Sequence, residues 1–259
     1  MWKGKIDEYQ IVIITPCFNA SKNLENIANS LLEQTYKEWV WIIADDVSTD
    51  DTRRKAIEII NNINGRACLY PVNRERQIRR YALHNICNII ENKINIVLNS
   101  RNIGVPSEKV IIGIIDGDDQ LCNKNALQLI VNEYEAGNDV VWTAHKWDVN
   151  SEMNISGPMP NNVNPYFYQW CSSHFRTFRK DLFDKVNKDN FKDINGEWFK
   201  RGYDQALMLP IIYLSKNRKY VDKVCYQYNI NSVSMDRSLD TTSEQLKVVK
   251  FIRSRGFIK

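Results

Sequence analysis

Several features that would mark a specialised class of protein are missing from this sequence. No uninterrupted apolar run approaches the ~20 residues of a transmembrane helix, and the segment from Met1 to Gln10 lacks the apolar core of a signal peptide. The six cysteines are scattered singly, without the spacing of a zinc site or the density of a disulfide scaffold. We therefore expect a cytoplasmic protein with free, mostly buried thiols.

Charge and repetition point to no special partner either. Lys and Arg total 35 against 31 for Asp and Glu, and the net charge of +4 is too small to indicate a protein that coats nucleic acid. No internal repeat or low-complexity tract is present. The 259 residues are 43% hydrophobic and 25% charged, which is typical of an ordinary folded domain. We expect one well-packed domain, or one with a small appendage, and no nucleic-acid partner.

Buried-strand patterns alternate with helical patterns over roughly the first 145 residues. β-branched and apolar runs predict strands over 10–15, 39–44, 67–72, 110–115 and 140–145. Apolar residues at helical spacing predict helices over 24–32, 56–60, 78–90 and 125–134. The alternation predicts an α/β fold whose central sheet is mainly parallel, with right-handed crossovers and helices on its flanks.

The remaining chain is less regular. An aromatic-rich loop begins near Trp147, and a helix over 204–214 and short strands within 220–228 follow it. A C-terminal helix over 242–255 carries the apolar stripe Leu246, Val249 and Ile252 beside basic residues. It either docks onto the domain or attaches loosely to an anionic membrane surface as a peripheral contact. We expect a domain over 1–230, with halves at about 10–145 and 146–230, and a tail over 231–259.

Three of the predicted strand ends carry polar motifs. They are Thr15-Pro16-Cys17-Phe18-Asn19, Asp45-Asp46 and Asp116-Gly117-Asp118-Asp119. In an open parallel sheet, ligands bind outside the carboxyl ends of the strands. The carboxylates of the third motif repel one another unless a cation lies among them, and oxygen donors of this kind suit Mg²⁺ or Mn²⁺ bridging a diphosphate. The alternative is an acidic turn that caps the following helix.

The combination of motifs is more specific than any one of them. Thr-Pro-x-Phe-Asn, Asp-Asp-x-Ser-Thr-Asp-Asp-Thr and Asp-Gly-Asp-Asp follow in that order at strand ends. From about Ile11 to Asn229 the chain resembles family 2 of the glycosyltransferases, inverting enzymes of the GT-A fold. Its last third resembles a subgroup seen in bacteria and large DNA viruses.

The resemblance implies a nucleotide site and a metal site, with Mn²⁺ or Mg²⁺ as cofactor. The implied nucleotide-binding residues are Thr15, Pro16, Asn19, Asp45, Asp46, Arg80 and Asp116. Either Asp118 or Asp119 is the direct metal ligand, and the sequence leaves this choice open. Because the Asp46 carboxylate can accept from the N3 hydrogen of uracil, UDP-sugars are favoured as donors.

The resemblance also implies a catalytic base in the later part of the chain. Asp204 fits this role, with Glu197 and then Asp193 as lesser candidates and a helix cap as the structural alternative for Asp204. A histidine- and arginine-rich segment resembles the part of the family that folds over sugar and acceptor. The candidate sugar or acceptor residues are Trp147, Asp148, His174 and Arg176. Arg176 and Arg179 either reach the diphosphate or are surface charges.

The expected function is transfer of one sugar from a nucleotide-diphosphate sugar to a hydroxyl of a glycan, a lipid-linked glycan or a protein. The Gln-x-x-Arg-Trp motif of processive synthases is absent. A non-catalytic sugar-binding protein of the same fold is one alternative. An Asp-based phosphatase is another, but its Asp-x-Asp motif normally ends the first strand. A nucleotidyltransferase would need a glycine-rich loop after the first strand, where this chain has Pro16-Cys17-Phe18.

Overall fold

Strands and helices alternate through the computed structural model, which describes residues 8–63, 65–70, 82–148, 154–229 and 239–259. The strands are β1 (Gln10–Cys17), β2 (Trp39–Asp45), β3 (Ala67–Tyr70), β4 (Val110–Ile114), β5 (Gln120–Leu121), β6 (Val140–Trp147), β7 (Arg176–Arg179) and β8 (Arg218–Tyr228). The α-helices are α1 (Leu24–Leu32), α2 (Thr52–Asn62), α3 (Ala82–Asn92), α4 (Ile94–Ser100), α5 (Ala126–Glu135), α6 (Lys180–Asp184), α7 (Tyr203–Leu214) and α8 (Leu239–Arg255).

These strands form one sheet in the order β3-β2-β1-β4-β7-β6-β8-β5. Neighbouring strands are parallel in the pairs β3–β2, β2–β1, β1–β4 and β6–β8, whereas β7 and β5 run antiparallel to their neighbours. The strands β1, β2, β3, β4, β6 and β8 therefore point the same way. We call the edge at their ends, near Cys17, Asp45, Ile114, Trp147 and Tyr228, the carboxyl edge. The opposite edge, near Gln10, Trp39, Ala67 and Val110, is the amino edge.

Both faces of the sheet are covered by helices. Val12 and Ile14 of β1 pack in the core beneath α3, α4, α6, α7 and α8, whereas Ile11 and Ile13 pack in the core beneath α1, α2 and α5. A strand buried on both sides cannot show polar alternation, which explains why β1 and β4 read as continuous apolar runs.

The alternating pattern predicted this architecture, but four elements were not predicted: β5, β7, α4 and α6. Helix α4 lies between the predicted helix over 78–90 and the predicted strand over 110–115, where no helix was expected. Strand β7 was not predicted because it is short and carries Arg176 and Arg179, which are atypical of a central strand. The short strands expected within 220–228 are the single strand β8, which is irregular near Thr143 and Ala144 of its partner β6. Residues 71–81, which include the expected end of β3 and start of α3, lie outside the described residues.

Helix α8 docks onto the domain, which is one of the two alternatives that the sequence left open for it. Ile252 is 1% exposed, and Arg253 donates to Oε1 of Gln205 in α7 at 2.8 Å. Arg255 donates to the carbonyl of Asn190 at 2.9 Å. The helix begins at Leu239, earlier than expected, and Leu246 stays 56% exposed on its outer side. Among the described helices, none combines the length and the apolar character that crossing a membrane requires.

The start of α7 depends on a close contact with α8. Gly202 precedes α7 with φ of 60°, and a Cβ atom there would lie 2.8 Å from Cγ2 of Val249. We predict that Gly202→Ala lowers the melting temperature by several degrees, because overpacking costs about 1–3 kcal/mol beyond the backbone strain. The matched control is Gly137→Ala, at φ of 91° with no atom within 4 Å of the added carbon. Equal losses in thermal unfolding of the two variants would contradict the packing argument.

Candidate functional site

The ends of β1 and β2 are tied together at the carboxyl edge by Asn19. Its Oδ1 accepts from the backbone N–H of Thr49 at 2.8 Å, and its own N–H donates to Oγ of Ser48 at 2.8 Å. Asn19 has φ of 53° and Val47 has φ of 58°, a left-handed conformation that is uncommon for a branched residue. Backbone strain of this kind clusters at binding sites.

Asp45 and Asp46 are both buried but make different contacts. Oδ1 of Asp45 accepts from the N–H and the hydroxyl of Ser48, at 3.1 and 2.5 Å, and so holds the turn. Oδ1 of Asp46 accepts from Nδ2 of Asn85 in α3 at 3.2 Å. Asp46 therefore lies between the end of β2 and α3, whereas Asp45 serves the local turn.

Thr15 supports the site from inside the sheet. Its hydroxyl is fully buried and accepts from Nε1 of Trp41 at 2.9 Å. The carbonyl of Pro16 accepts from the N–H of Gly117 at 3.2 Å. A Cβ atom on Gly117 would lie 2.5 Å from Cβ of Cys17, so only glycine lets the acidic turn approach β1 this closely.

The acidic turn after β4 is held by the end of β8. The Tyr226 hydroxyl donates to Oδ2 of Asp119 at 2.8 Å, and the N–H of Asn229 donates to Oδ1 of the same residue at 2.8 Å. Nδ2 of Asn229 donates to the carbonyl of Asp118. Asp119 is thus buried with both oxygens engaged, whereas Asp118 and Asp116 are half-buried.

The acidic turn contains no Lys or Arg, and Arg176 from β7 pairs with Asp116. Burial, followed by the charges of Asp118 and Asp116, raises the pKa of Asp119 well above its ordinary value. Carboxylate oxygens of Asp116 and Asp119 and a ring nitrogen of His174 lie within 4.8 Å of one another. Oxygen donors with one imidazole suit Mn²⁺, and a divalent cation would offset the repulsion. The residues present therefore fit a metal ion.

His174 lies in an aromatic wall beside the acidic turn. Its ring stacks on Tyr226 at 4.6 Å and on Tyr228 at 5.1 Å between centroids. Burial, followed by the charge of Arg176 and the neighbouring His145, lowers the pKa of His174 well below its ordinary value. The ring is therefore neutral, which is the form that binds a metal.

Arg176 connects the acidic turn to the start of α7. Its guanidinium is 1% exposed; Nη2 lies 3.2 Å from Oδ2 of Asp116 and donates to the Tyr203 hydroxyl at 3.0 Å. The same hydroxyl donates to Oδ1 of Asp116. Burial opposes the charge, but Tyr203, Asp116 and Asp204 outweigh it and raise the pKa of Arg176 above its ordinary value.

Asp204 stands one residue after Tyr203, in the first turn of α7. Burial raises its pKa, and Arg176 works in the opposite direction. The two lesser candidates lie in a surface turn, where Oδ1 of Asp193 accepts from the N–H of Glu197 at 2.9 Å and Glu197 is exposed. Of the three carboxylates, Asp204 is the one beside Arg176 and Tyr203.

The remaining sequence-predicted residues divide into three groups. Trp147 and Asp148 lie at the carboxyl edge, where the indole of Trp147 packs 5.8 Å from the ring of Tyr228 and donates to Nε2 of His145 at 3.3 Å. Arg179 pairs with Ile111 at the start of β4, toward the amino edge, and its Nε donates to Asp181 at 2.8 Å. The expectation that Arg179 reaches the diphosphate is therefore wrong, because β7 runs antiparallel. Arg80 lies outside the described residues.

Sequence reasoning missed Tyr203, Tyr226, Asn229 and Asn85 as parts of this site. Tyr203 was the one residue with a visible signal, because it directly precedes the candidate base Asp204. The other three become neighbours of the acidic motifs only through the pairing of β5 with β8 and the packing of α3.

Comparisons with known proteins agree with this geometry. The family described as Glycosyl transferase family 2 matches residues 12–187. The "UDP-Glc:alpha-D-GlcNAc-diphosphoundecaprenol beta-1,3-glucosyltransferase WfgD" of Escherichia coli is 40% identical over 53 residues, 20% of this chain and 21% of that protein. The match thus spans about a fifth of that relative's length.

Solved structures share the fold over nearly the whole chain. S. aureus TarS superposes with a TM-score of 0.59 at 18% identity, over 96% of this chain and 40% of TarS. Its fragment 1–349, in complex with UDP-GlcNAc, superposes with a TM-score of 0.59 at 17% identity, over 96% of this chain and 68% of the fragment. The mannosyltransferase PcManGT from Pyrobaculum calidifontis, in complex with GDP-Man and Mn²⁺, superposes with a TM-score of 0.58 at 14% identity. The match covers 96% of this chain and 64% of PcManGT. The GT-A fold expected from the motifs is confirmed.

The family match extends over well over half of the 259 residues and includes β1, β2, β4 and β7 with their motifs. This chain belongs to glycosyl transferase family 2.

Proposed function

We propose that the protein transfers a single sugar from a nucleoside-diphosphate sugar to a hydroxyl acceptor, with a divalent metal and inversion at the anomeric carbon. The observation that carries this proposal is the connection of the acidic turn, through Arg176, to Tyr203, the residue that precedes Asp204. It brings together, at one sheet edge, a candidate metal site and a candidate base that stems from a distant part of the chain.

The nucleotide is proposed to bind across the ends of β1 and β2. Asn19 and Asp45 shape the two turns, and Asp46, held by Asn85, is the carboxylate proposed to meet the base. Thr15 and Pro16 act through the backbone that they hold in place. The UDP-GlcNAc complex of TarS, a protein of the same fold, is consistent with uridine as the base.

The metal is proposed to bind at the acidic turn. Asp118 or Asp119 is proposed as the direct ligand: Asp119 lies with Asp116 and His174 in one group of ligand atoms within 4.8 Å of one another, and Asp118 precedes it in the same turn. Asp116 and His174 border the same space. When bound, the ion supplies positive charge that offsets the charge developing on the departing diphosphate.

Asp204 is proposed to act as the general base. It takes the proton of the acceptor hydroxyl while that oxygen bonds to the anomeric carbon, and the bond from that carbon to the diphosphate oxygen breaks with its electron pair. The raised pKa of Asp204 makes it a stronger proton acceptor than an exposed aspartate. Arg176 and Tyr203 hold the start of α7 against Asp116 and so fix the position of the base.

The acceptor is proposed to be a hydroxyl of a glycan, a lipid-linked glycan or a protein. Trp147 and Tyr228 present aromatic rings at the carboxyl edge, and Asp148 is exposed beside them. Aromatic faces with neighbouring carboxylates suit sugar rings. The printed name of the Escherichia coli relative, which includes a diphosphoundecaprenol acceptor, favours a lipid-linked glycan among these classes.

The first test is metal dependence. We expect manganese-dependent hydrolysis of the donor sugar, and we expect Asp118→Asn to abolish both hydrolysis and transfer, because it removes a carboxylate from the proposed metal site. Product release is measured with and without chelator. Asp222→Asn, at an exposed position of β8, is the matched control and should keep full activity. Undiminished turnover in excess chelator would contradict the proposal.

The second test concerns the base of the nucleotide. We expect UDP to bind more tightly than ADP by calorimetry, because Asp46 can accept from the N3–H of uracil, a ring donor that adenine lacks. Asp46→Ala should weaken UDP binding about tenfold, the size of one charged hydrogen bond. Asp51→Ala, exposed in the same loop and paired with Arg54, should change it little. Tighter binding of ADP by the parent protein would refute the assignment.

The third test concerns the general base of the transfer reaction. Asp204→Asn keeps the size of the side chain but cannot take a proton, so we expect transfer to fall at least ~10²-fold while UDP and manganese binding persist. Rates are compared with Asp193→Asn and Glu197→Gln, which should transfer at the parent rate. If Asp204→Asn also transfers at that rate, Asp204 only caps α7, and whichever of the other two variants is slow identifies the base.

A further inference from the structure

A cavity of about 660 Å³ lies at the amino edge of the sheet, whereas the site described above lies at the carboxyl edge. It is bordered by the ends of α1, α2 and α4 and by the starts of β2 and β3. Its size falls within the range of ~300–1,000 Å³ that small-molecule sites occupy. Strand β2 separates it from Asp45 by its whole length, roughly 20 Å at 3.3 Å per residue.

The walls of this cavity are basic. Lys37, Arg66 and Arg101 line it, and no carboxylate does so within the described part of the chain. Lys37 is already engaged, because its Nζ donates to the carbonyl of Leu32 at the end of α1 at 3.0 Å. Arg66 lies over the ring of Trp39, with its Cζ 5.1 Å from the ring centroid. Lys37, Arg66 and Arg101 therefore place positive charge at the cavity with no lining carboxylate among the described residues to balance it.

Two buried donors in the walls have no acceptor. Nε1 of Trp39 and Nη1 of Arg101 are buried without a hydrogen-bond partner in the described residues. Nη2 of Arg101 donates to the carbonyl of Ala67 at 3.2 Å. Burial lowers its pKa, and no carboxylate opposes this effect. Leaving a buried donor unpaired costs about 1–3 kcal/mol, so both residues would gain from a ligand that only accepts hydrogen bonds.

We propose that this cavity is a second ligand site, specific for a phosphate-bearing molecule. The ionised oxygens of a phosphate group accept hydrogen bonds and donate none. Their negative charge would pair with Arg66 and Arg101, and their geometry matches the paired N–H donors of a guanidinium. The indole N–H of Trp39 adds a neutral donor. The site shares no residue with the acidic turn or Asp204, so it stands whether or not the proposed sugar transfer is correct.

The direct test is to follow the indole N–H resonances of ¹⁵N-labelled protein during titration with inorganic phosphate and with glycerol 1-phosphate. The resonance of Trp39 is assigned as the one that disappears in Trp39→Phe. We expect this resonance to shift with saturation as phosphate is added. An unmoved Trp39 resonance at high concentrations of both probes would overturn the site for soluble phosphates.

Variants then separate this site from other anion-binding surfaces. Arg66→Gln together with Arg101→Gln should weaken the affinity for phosphate about tenfold or more, the size of a lost charge-assisted contact. Arg53→Gln together with Lys219→Gln removes the same charge from exposed positions and should leave it unchanged. If the first pair fails to fold, Arg66→Gln alone, at a half-exposed position, carries the test. Equal affinity in the cavity and control variants would refute the proposal.

The source of the phosphate is distinguished by a vesicle experiment. Co-sedimentation is measured with phosphatidylcholine vesicles with and without phosphatidylglycerol. Binding to the anionic vesicles that is lost in the Arg66/Arg101 variant identifies a lipid headgroup. A saturating Trp39 shift with soluble phosphates and no vesicle binding identifies a soluble phosphate. If neither the Trp39 resonance nor sedimentation responds, the cavity does not bind phosphate.

Discussion

The buried guanidinium of Arg176 is the group on which the arrangement of the site depends. A charge removed from water is tolerated only when partners surround it. Asp116 comes from the turn after β4, Tyr203 from the start of α7, and the carbonyl of Ser173 from the segment before β7, where Nη1 donates to it at 2.6 Å. These elements must meet around one side chain, and this requirement fixes the start of α7 relative to the acidic turn.

The aromatic wall complements this network. His174, Tyr226 and Tyr228 stack beside Arg176 and exclude water from one side of it. The hydroxyl of Tyr226 has a second task, since it accepts from the N–H of Asp116 at 3.1 Å and donates to Asp119. One side chain of β8 therefore fixes two residues of the acidic turn.

The sequence carried much of this arrangement in local patterns. A buried apolar run that ends in Asp116 predicts both a central strand and a site at its end, and Gly202 followed by an apolar stretch predicts a helix with Asp204 near its start. The side-chain directions were not predictable in the same way. Arg176 has the local appearance of a surface residue, because its partners lie 60 and 27 residues away. The choice between Asp118 and Asp119 depends on the register of β5 with β8, which no local pattern reports.

Thr15 shows the same limit on a smaller scale. Its position at the end of β1 suggested a pocket residue, yet alternation along the strand turns its hydroxyl to the face that carries Ile11 and Ile13, where Trp41 requires an acceptor. A motif position identifies which backbone reaches a site. It does not identify which way the side chain points, because that depends on neighbours in other strands.

The hydrogen bonds that tie Asn229 to the acidic turn also bear on how the protein acquires its activity. Asp119 and Asn229 are 110 residues apart, and Tyr203 and Asp116 are 87 apart. Contacts that close such long loops cost the most chain entropy and form slowly. During refolding we therefore expect helices and the β1–β2 pairing, which joins residues 28 apart, to form before the acidic turn is locked by β8. Spectroscopic recovery of secondary structure would then precede recovery of the site, and a chain released before β8 had paired would be largely folded and inactive.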